Sequence, residues 1–546
     1  VASTLYRGGV IHSSTDPFAE ALLVDDGVIA WIGANDTADG LAARADRVVE
    51  LDGALVAPGF VDSHVHLFET GLALVGADLS ARAGVTSLAS ALDAVAAAAR
   101  DAGEDDVVLA FGWDEQAWPE GRRPTRSELD AAAGGRAVYA ARVDVHSAVV
   151  SSALADRYGL AQHPGWDPSG HVTGEAHHVA RDAARQVSPA RRTDLYRQAL
   201  DAAARQGIVS VHEMSAPHVD TRAGLRELLA LTGDASSGLP HVVGYRGELC
   251  VTVDDARAVL ADVPGLTGIA GDLNVDGSIG SRTAAMRAPY RDAPEPGYRG
   301  ELYLSAEQIS NHVSAVGAAG TQGGFHVIGD RAMDELVLGL KVAAEVHGTS
   351  SVRAARHRVE HALFVDASAM ATLLLLGVSL SVQPAFDAAW GGADGMYATR
   401  VGATRAEALS PFADLATAGV PLAFGSDAPV TRLDPWAGVL AAMSHADLDQ
   451  RVSARAAFRA HTRGGWRVAG LDHTGAGQLR VGAPAHLAVW RAEHLAVQGT
   501  PGRAASSWST DARAGQPLLP ELGEHAPAPV CLQTVRDGVP LHDELD

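Results

Sequence analysis

The stretch Pro58-Gly59-Phe60-Val61-Asp62-Ser63-His64-Val65-His66 decides how this chain is read. The apolar run 54–61 leading through it has the character of a buried strand in a parallel sheet. On an extended backbone residues i and i+2 point the same way. His64 and His66 therefore project from one side of a strand end, where two neutral imidazole nitrogens can take adjacent positions on a metal ion. A bare His-x-His is more often a pair of satisfied polar groups. Here the pair closes an apolar strand that follows Pro-Gly, and the rest of the chain has to supply further ligands.

Working outward, the first 57 residues read as short strands and turns, with Asp26-Gly27 between two apolar runs as a hairpin signal. The same texture returns at 486–490 and 531–539, so both chain ends are expected to meet in one small β-domain, 1–57 with 475–546. Between them, over 58–474, apolar runs at 107–112, 137–145, 207–211, 268–275, 323–328, 357–361, 378–382 and 421–425 alternate with Ala-rich helical stretches such as 87–100, 188–204 and 331–346. Strand–helix alternation of this length points to a (β/α)8 barrel, with 239–245 as one more strand candidate. The segment 504–529, rich in Pro, Ala, Ser and Gly, reads as a surface loop.

The totals narrow the function. A chain of 546 residues with 47% apolar and 20% charged residues has the composition of a globular protein with a large core. The formal net charge of -23 repels phosphates and argues against a nucleic-acid partner. No uncharged apolar run reaches the roughly 18 residues of a membrane span, and the first residues lack a signal-peptide pattern, so a cytoplasmic protein is expected. With Cys250 and Cys531 as its two cysteines, the chain has no cysteine metal site, and His, Asp or Glu must hold any ion. The expected partner is a small molecule, with self-association left open.

In a barrel the working residues stand where strands meet the following loops. His326 ends one strand candidate, His361 another, and Asp427 follows a third. With His64 and His66 they form an ordered set of four histidines and one carboxylate. One such residue is weak evidence, but five at strand ends form a specific constellation. Zinc suits this donor set, and it lowers the pKa of bound water from 15.7 to about 7. Asp427 can then act as general acid and base.

At this point the sequence resembles the amidohydrolase superfamily, and within it amidohydrolase family 3, the YtcJ-like proteins and N-substituted formamide deformylases. The resemblance covers nearly the whole chain and rests on PGFVDSHVHL at 58–67, VDGSIGSRTAAMRAPY at 275–290, FHVIGDRAM at 325–333, RVEHA at 358–362 and FGSDAPV at 424–430. It implies a metal-dependent hydrolase on a distorted (β/α)8 barrel carrying a β-sandwich made from both chain ends. It also implies that His64, His66, His326, His361 and Asp427 are metal ligands and that Asp427 and His361 are catalytic, with Asp427 the acid/base and His361 ligating or contacting water or substrate. The expected reaction is hydrolysis of a C–N bond in an amide, N-formyl or cyclic amide. A deaminase on the same site and a catalytically inactive metal-binding scaffold are the alternatives.

One departure is informative. Many binuclear relatives bridge two metals with a carboxylated lysine, but the single lysine here, Lys341, lies about four helical turns past His326. In the strand leading to Asp276-Gly277, the position where that lysine would be looked for is Asp272; either Asp272, Glu175 or Glu213 bridges two ions, or the site holds one, which is the preferred expectation. Trp113, His146, His212 and Arg282 are candidate substrate contacts, each with a structural role as its rival. His171, His177 and His178 are expected in a loop.

Overall fold

Eight parallel strands form the centre of the computed structural model, which describes residues 2–103, 106–499, 508–509, 515–523 and 525–545. They are β1 (Phe60–Val65), β2 (Ile208–Ser215), β3 (His241–Arg246), β4 (Gly268–Ile269), β5 (Gln322–Val327), β6 (Arg358–His361), β7 (Ser379–Val382) and β8 (Leu422–Phe424), paired in that order. The ring closes where Val65 bridges Ala428 in parallel. His64 O there accepts from Asp427 N at 2.8 Å, and Ala428 O accepts from His66 N at 2.9 Å. Closure requires Gly425, because a Cβ there would stand 2.6 Å from His64 N.

Two of the expected barrel strands belong elsewhere. Val108–Trp113 and Val138–Arg142 sit in a separate five-stranded sheet with Ala77–Asp78, Ala148–Val150 and His171–Val172, inserted between β1 and β2. Apolar runs look alike in either sheet, and β3, over the run 239–245, takes one of the vacated barrel places. Helices form where expected, and capping fixes their starts: Ser87 and Ser90 make a capping box for Leu88–Asp101, and Ser188 caps Pro189–Ala204. A third spans Asp330–His347.

The chain ends meet. One sheet of four strands comes from residues 4–50, and a second pairs Val10–Ile11 and Leu55–Pro58 with Leu487–Arg491, Val530–Arg536 and Val539–Asp543. Tyr6, Ile11, Leu22 and Val56 share one apolar core with Leu487, Val489 and Leu532, and Tyr6 Oη donates to Gln533 Oε1 at 2.7 Å. Within 504–529, residues 504–507, 510–514 and 524 lie outside the described residues, and Leu519–Pro520 is a short strand rather than loop. Among the described residues no helix is long and apolar enough to cross a membrane.

Candidate metal centre

The C-terminal ends of β1, β5 and β6 carry His64 and His66, His326 and His361 into one buried cluster, and the turn after β8 adds Asp427. Asp272, three residues beyond the two-residue strand β4, stands among all four histidines. Its Oδ1 lies 3.6 Å from His64 Nε2, 3.6 Å from His326 Nδ1 and 3.7 Å from His361 Nε2, and its Oδ2 lies 3.0 Å from His66 Nε2. Asp427 Oδ1 is 3.4 Å from His64 Nε2 and 3.3 Å from His66 Nε2.

The far side of each ring fixes its tautomer. His64 Nδ1 meets Glu360 Oε2 at 2.9 Å, His66 Nδ1 meets Met214 O at 3.1 Å, and His361 Nδ1 meets Gln383 Oε1 at 2.9 Å. In His326 the roles reverse, with Nε2 meeting Gly277 O at 3.2 Å. All four partners are acceptors, so each of these nitrogens carries a proton, and the opposite nitrogen faces the cluster, where it offers a lone pair once it is deprotonated. Three of the converging atoms, His64 Nε2, Asp272 Oδ1 and His361 Nε2, are buried without a hydrogen-bond partner. Buried polar atoms are otherwise almost always satisfied, and the donor set of imidazoles and carboxylates suits a divalent cation such as zinc.

Electrostatics point the same way. Burial disfavours charge on His64 and His66, yet Asp272 and Asp427 push both up to about 10. Burial likewise opposes the Asp272 charge, while His64, His66 and the neighbouring rings hold its carboxyl well below the ordinary carboxylate range. The cluster therefore attracts positive charge. His361 and Asp427 also hold positive φ values of 68° and 58°. Such backbone costs about 1–3 kcal/mol at a non-glycine residue and concentrates at functional sites.

Behind the ligands lies a buried brace. Glu360 accepts from Arg358 Nε at 2.5 Å and Nη2 at 2.9 Å, and Arg358 also donates to Ser63 O at 2.8 Å and lies 3.1 Å from His212 Nδ1. His212 thus belongs to the layer beneath the metal ligands. It is fully buried and does not line the cavity, so it is no substrate contact.

A cavity of about 300 Å³ opens over the cluster, lined by His66, Asp272, His326, His361 and Asp427 on one side and by His146, His177, His178, Arg181 and His218 on another. His146 stands with its ring 5.5 Å from that of His326. His177 and His178 lie on the helix Gly174–Ala184, not in a loop, while His171 forms a short strand away from the cavity. Trp113 is turned into the core of the inserted sheet, where its Nε1 donates to Ala140 O, because strand alternation points it away from the mouth. Arg282 is taken by Asp292 through bonds of 3.1 and 2.8 Å. The Gly-rich loop around it is anchored by Asp276, which accepts from Ala285, Ile328 and Gly329 N–H groups. Neither Trp113 nor Arg282 reaches the cavity. Glu175 is exposed and pairs with His163, and Glu213 accepts from Leu67 N at 2.7 Å behind the site, which leaves Asp272 as the bridging candidate within the cluster. Gln383 and Arg181 carry no motif, and Glu360, although inside RVEHA at 358–362, is not singled out in the sequence.

Comparisons with known proteins give the chain's family. Protein LONG AFTER FAR-RED 3 of Arabidopsis thaliana is 27% identical over 506 residues, covering 87% of this chain and 84% of that protein. YtcJ of Bacillus subtilis, named as an amidohydrolase, is 26% identical over 470 residues, covering 80% and 83%. The crystal structure of an uncharacterised metal-dependent hydrolase from Pyrococcus furiosus superposes with a TM-score of 0.69 at 27% identity, covering 89% of this chain and 98% of that one. Residues 47–542 match the profile of the amidohydrolase family, and the chain belongs to that family.

Proposed function

We propose that the chain is a metal-dependent hydrolase of C–N bonds, acting on an amide, N-formyl or cyclic amide group, with Asp427 as general acid and base. The observation that carries this reading is the set of four histidines, each with its far nitrogen tied to an acceptor and its near nitrogen turned toward Asp272, with Asp427 beside His64 and His66 as well. Zinc is the proposed metal. The preference shifts from one ion to two, because the cluster offers two carboxylates, Asp272 among all four histidines and Asp427 beside His64 and His66, and two groups of residues that could each hold an ion. When bound, such ions lower the pKa of water from 15.7 to about 7 and polarise a carbonyl.

The chain's own residues do the rest. Burial works against the Asp427 charge, but His64, His66 and His361 hold its carboxyl below the ordinary carboxylate range. It is ionised at neutral pH, takes the proton of the attacking water and returns it to the leaving nitrogen. His146, which burial and then His326 push down to about 4, is neutral and offers a hydrogen bond to the substrate. The helix Gly174–Ala184 and the 143–147 turn cover the mouth and exclude bulk water.

The test is a turnover panel of amides, formamides, cyclic amides and aminopurines, run with metal-loaded, chelator-treated and Asp427→Asn protein. Amine or carboxylate release that needs metal and falls about 100-fold or more in Asp427→Asn is the expected result. Ammonia release from the aminopurines alone would assign a deaminase, and no turnover of any member would leave a metal-binding scaffold.

A further inference from the structure

The wall of the cavity away from the metal cluster carries a cation that the hydrolytic chemistry does not use. Arg181 lies on the helix Gly174–Ala184 and is nearly buried, with 12% of its side chain exposed. Its Nε bonds Glu69 Oε1 at 3.0 Å and its Nη2 bonds Glu69 Oε2 at 2.5 Å. That carboxylate is shared, since Arg185 pairs with Glu69 Oε1 as well. Farther along the same cluster Arg192 pairs with Asp220, which also accepts from Tyr196 Oη. Three arginines therefore share two buried carboxylates, and Glu69 alone serves both Arg181 and Arg185. Asp182, the next residue on the helix, is half exposed and turned to His218 Nδ1 at 3.3 Å.

One face of the Arg181 guanidinium opens on the cavity. Arg181 lines the cavity, and among the described residues no protein acceptor meets its Nη1. Around it the wall offers imidazoles: His177, bonded to Tyr139 Oη at 2.9 Å, and His178, stacked on His218 at 4.3 Å between ring centroids. The carboxylates that line the cavity are all committed. Asp144 is held by Arg142 at 3.0 Å and by the Ser278 and Ser281 hydroxyls at 2.8 Å, while Asp272 and Asp427 face the histidine cluster. A guanidinium with a free N–H in a nearly buried cavity is a site for an anionic oxygen, and its planar fork suits a carboxylate.

We propose that Arg181 is the specificity residue that recognises a carboxylate on the substrate, so that the enzyme acts on amides bearing an acid group at the end remote from the scissile bond. This rests on the hydrolase reading for the reaction and on Arg181 alone for the substrate class. It places the enzyme after a reaction that releases or forms an acidic amide.

The test uses a matched series, N-formylglycine through N-formyl-6-aminohexanoate, each beside its neutral methylamide, with the metal-loaded protein. At the chain length that spans the cavity the acid should exceed its methylamide in kcat/KM by about 10- to 100-fold, the range of a charge-assisted hydrogen bond. Arg181→Met should erase the acid-to-methylamide ratio in kcat/KM, whatever its effect on the methylamide itself. If Arg181→Met does not fold, Arg181→Lys decides, because it keeps the charge beside Glu69 but loses the fork, and it should lower the same ratio. No acid preference at any length, or a preference that survives in the variant, overturns the proposal. If no member is turned over, calorimetric affinities for the same pairs decide the role of Arg181, and the absence of turnover counts against the hydrolase reading alone.

Discussion

Replacing Glu360 by Gln separates two jobs that the buried brace performs. Glu360 is 0% exposed and holds the proton-bearing Nδ1 of His64 at 2.9 Å, while its charge neutralises Arg358, also 0% exposed. Burial opposes that charge, but Arg358 and His64 hold the carboxyl down to about 2, so the pair is ionised throughout the neutral range. Gln retains an acceptor oxygen but removes the charge. Loss of an orienting partner behind a ligating histidine costs about 10–100-fold in metal affinity. The Arg358 guanidinium is meanwhile left with Ser63 O, His212 Nδ1 and the Tyr245 ring, and an uncompensated buried charge costs about 3–5 kcal/mol of folding stability. Zinc competition with a chromophoric chelator reads the first effect, and urea unfolding of the metal-free protein reads the second. The double variant Glu360→Gln/Arg358→Met removes the stranded cation, so it should recover most of the stability and little of the metal affinity. If Glu360→Gln binds zinc as tightly as the parent, or if the double variant restores affinity together with stability, the orienting role of Glu360 is wrong.

Metal binding should also be proton-linked. Without metal, His64 and His66 are pushed up to about 10, so both are protonated at neutral pH, and an imidazolium cannot ligate. Affinity should therefore rise with pH across the neutral range, with about two protons released as these two rings bind, read by calorimetry in buffers of different ionisation enthalpy; no net release would mean that the rings are already neutral. At the opposite end of β1, Phe60 is fully buried and meets Trp436, Phe458, His461 and Trp490 edge-on at 4.9 to 5.8 Å between centroids. Phe60→Ala should lower stability by about 3–5 kcal/mol in denaturant unfolding yet leave zinc stoichiometry unchanged, and a coupled loss of metal would show that the barrel base and its mouth are not separable.

The parts of the site legible in the sequence share one property: their position can be read from strand periodicity. His64, His66, His326 and His361 close apolar runs, and Asp427 follows one, so a rule about strand ends selects them before any fold is known. Trp113 and His212 satisfy the same rule and fail, because a run of apolar residues specifies neither which sheet a strand joins nor which layer of the barrel a side chain occupies. Trp113 sits in the inserted sheet, and His212 lies in the layer of Arg358 beneath the ligands. Arg282 fails for another reason: its partner Asp292 lies ten residues ahead on the same loop, and such a local pair has no periodic signature.

Asp272 is the instructive case. The absence of a usable lysine raises the question of what could bridge two ions, and Asp272 is one of three carboxylates that the sequence offers. In the sequence the run 268–275 reads as one strand with Asp272 inside it, whereas in the structure that strand is only Gly268–Ile269. The backbone between β4 and Asp272 is irregular, with Gly271 at a φ of 90°. Beyond it the chain returns to the sheet, where Asn274 bridges His326. That detour turns the Asp272 carboxylate toward the barrel axis, where the fold brings the ends of β1, β5 and β6 together. A residue placed by a departure from periodicity is invisible to any reading built on periodicity. The scarcity of lysine therefore poses the question of the bridge and the sequence offers Asp272 at the lysine's place, while the three-dimensional fold brings its carboxylate among all four histidines.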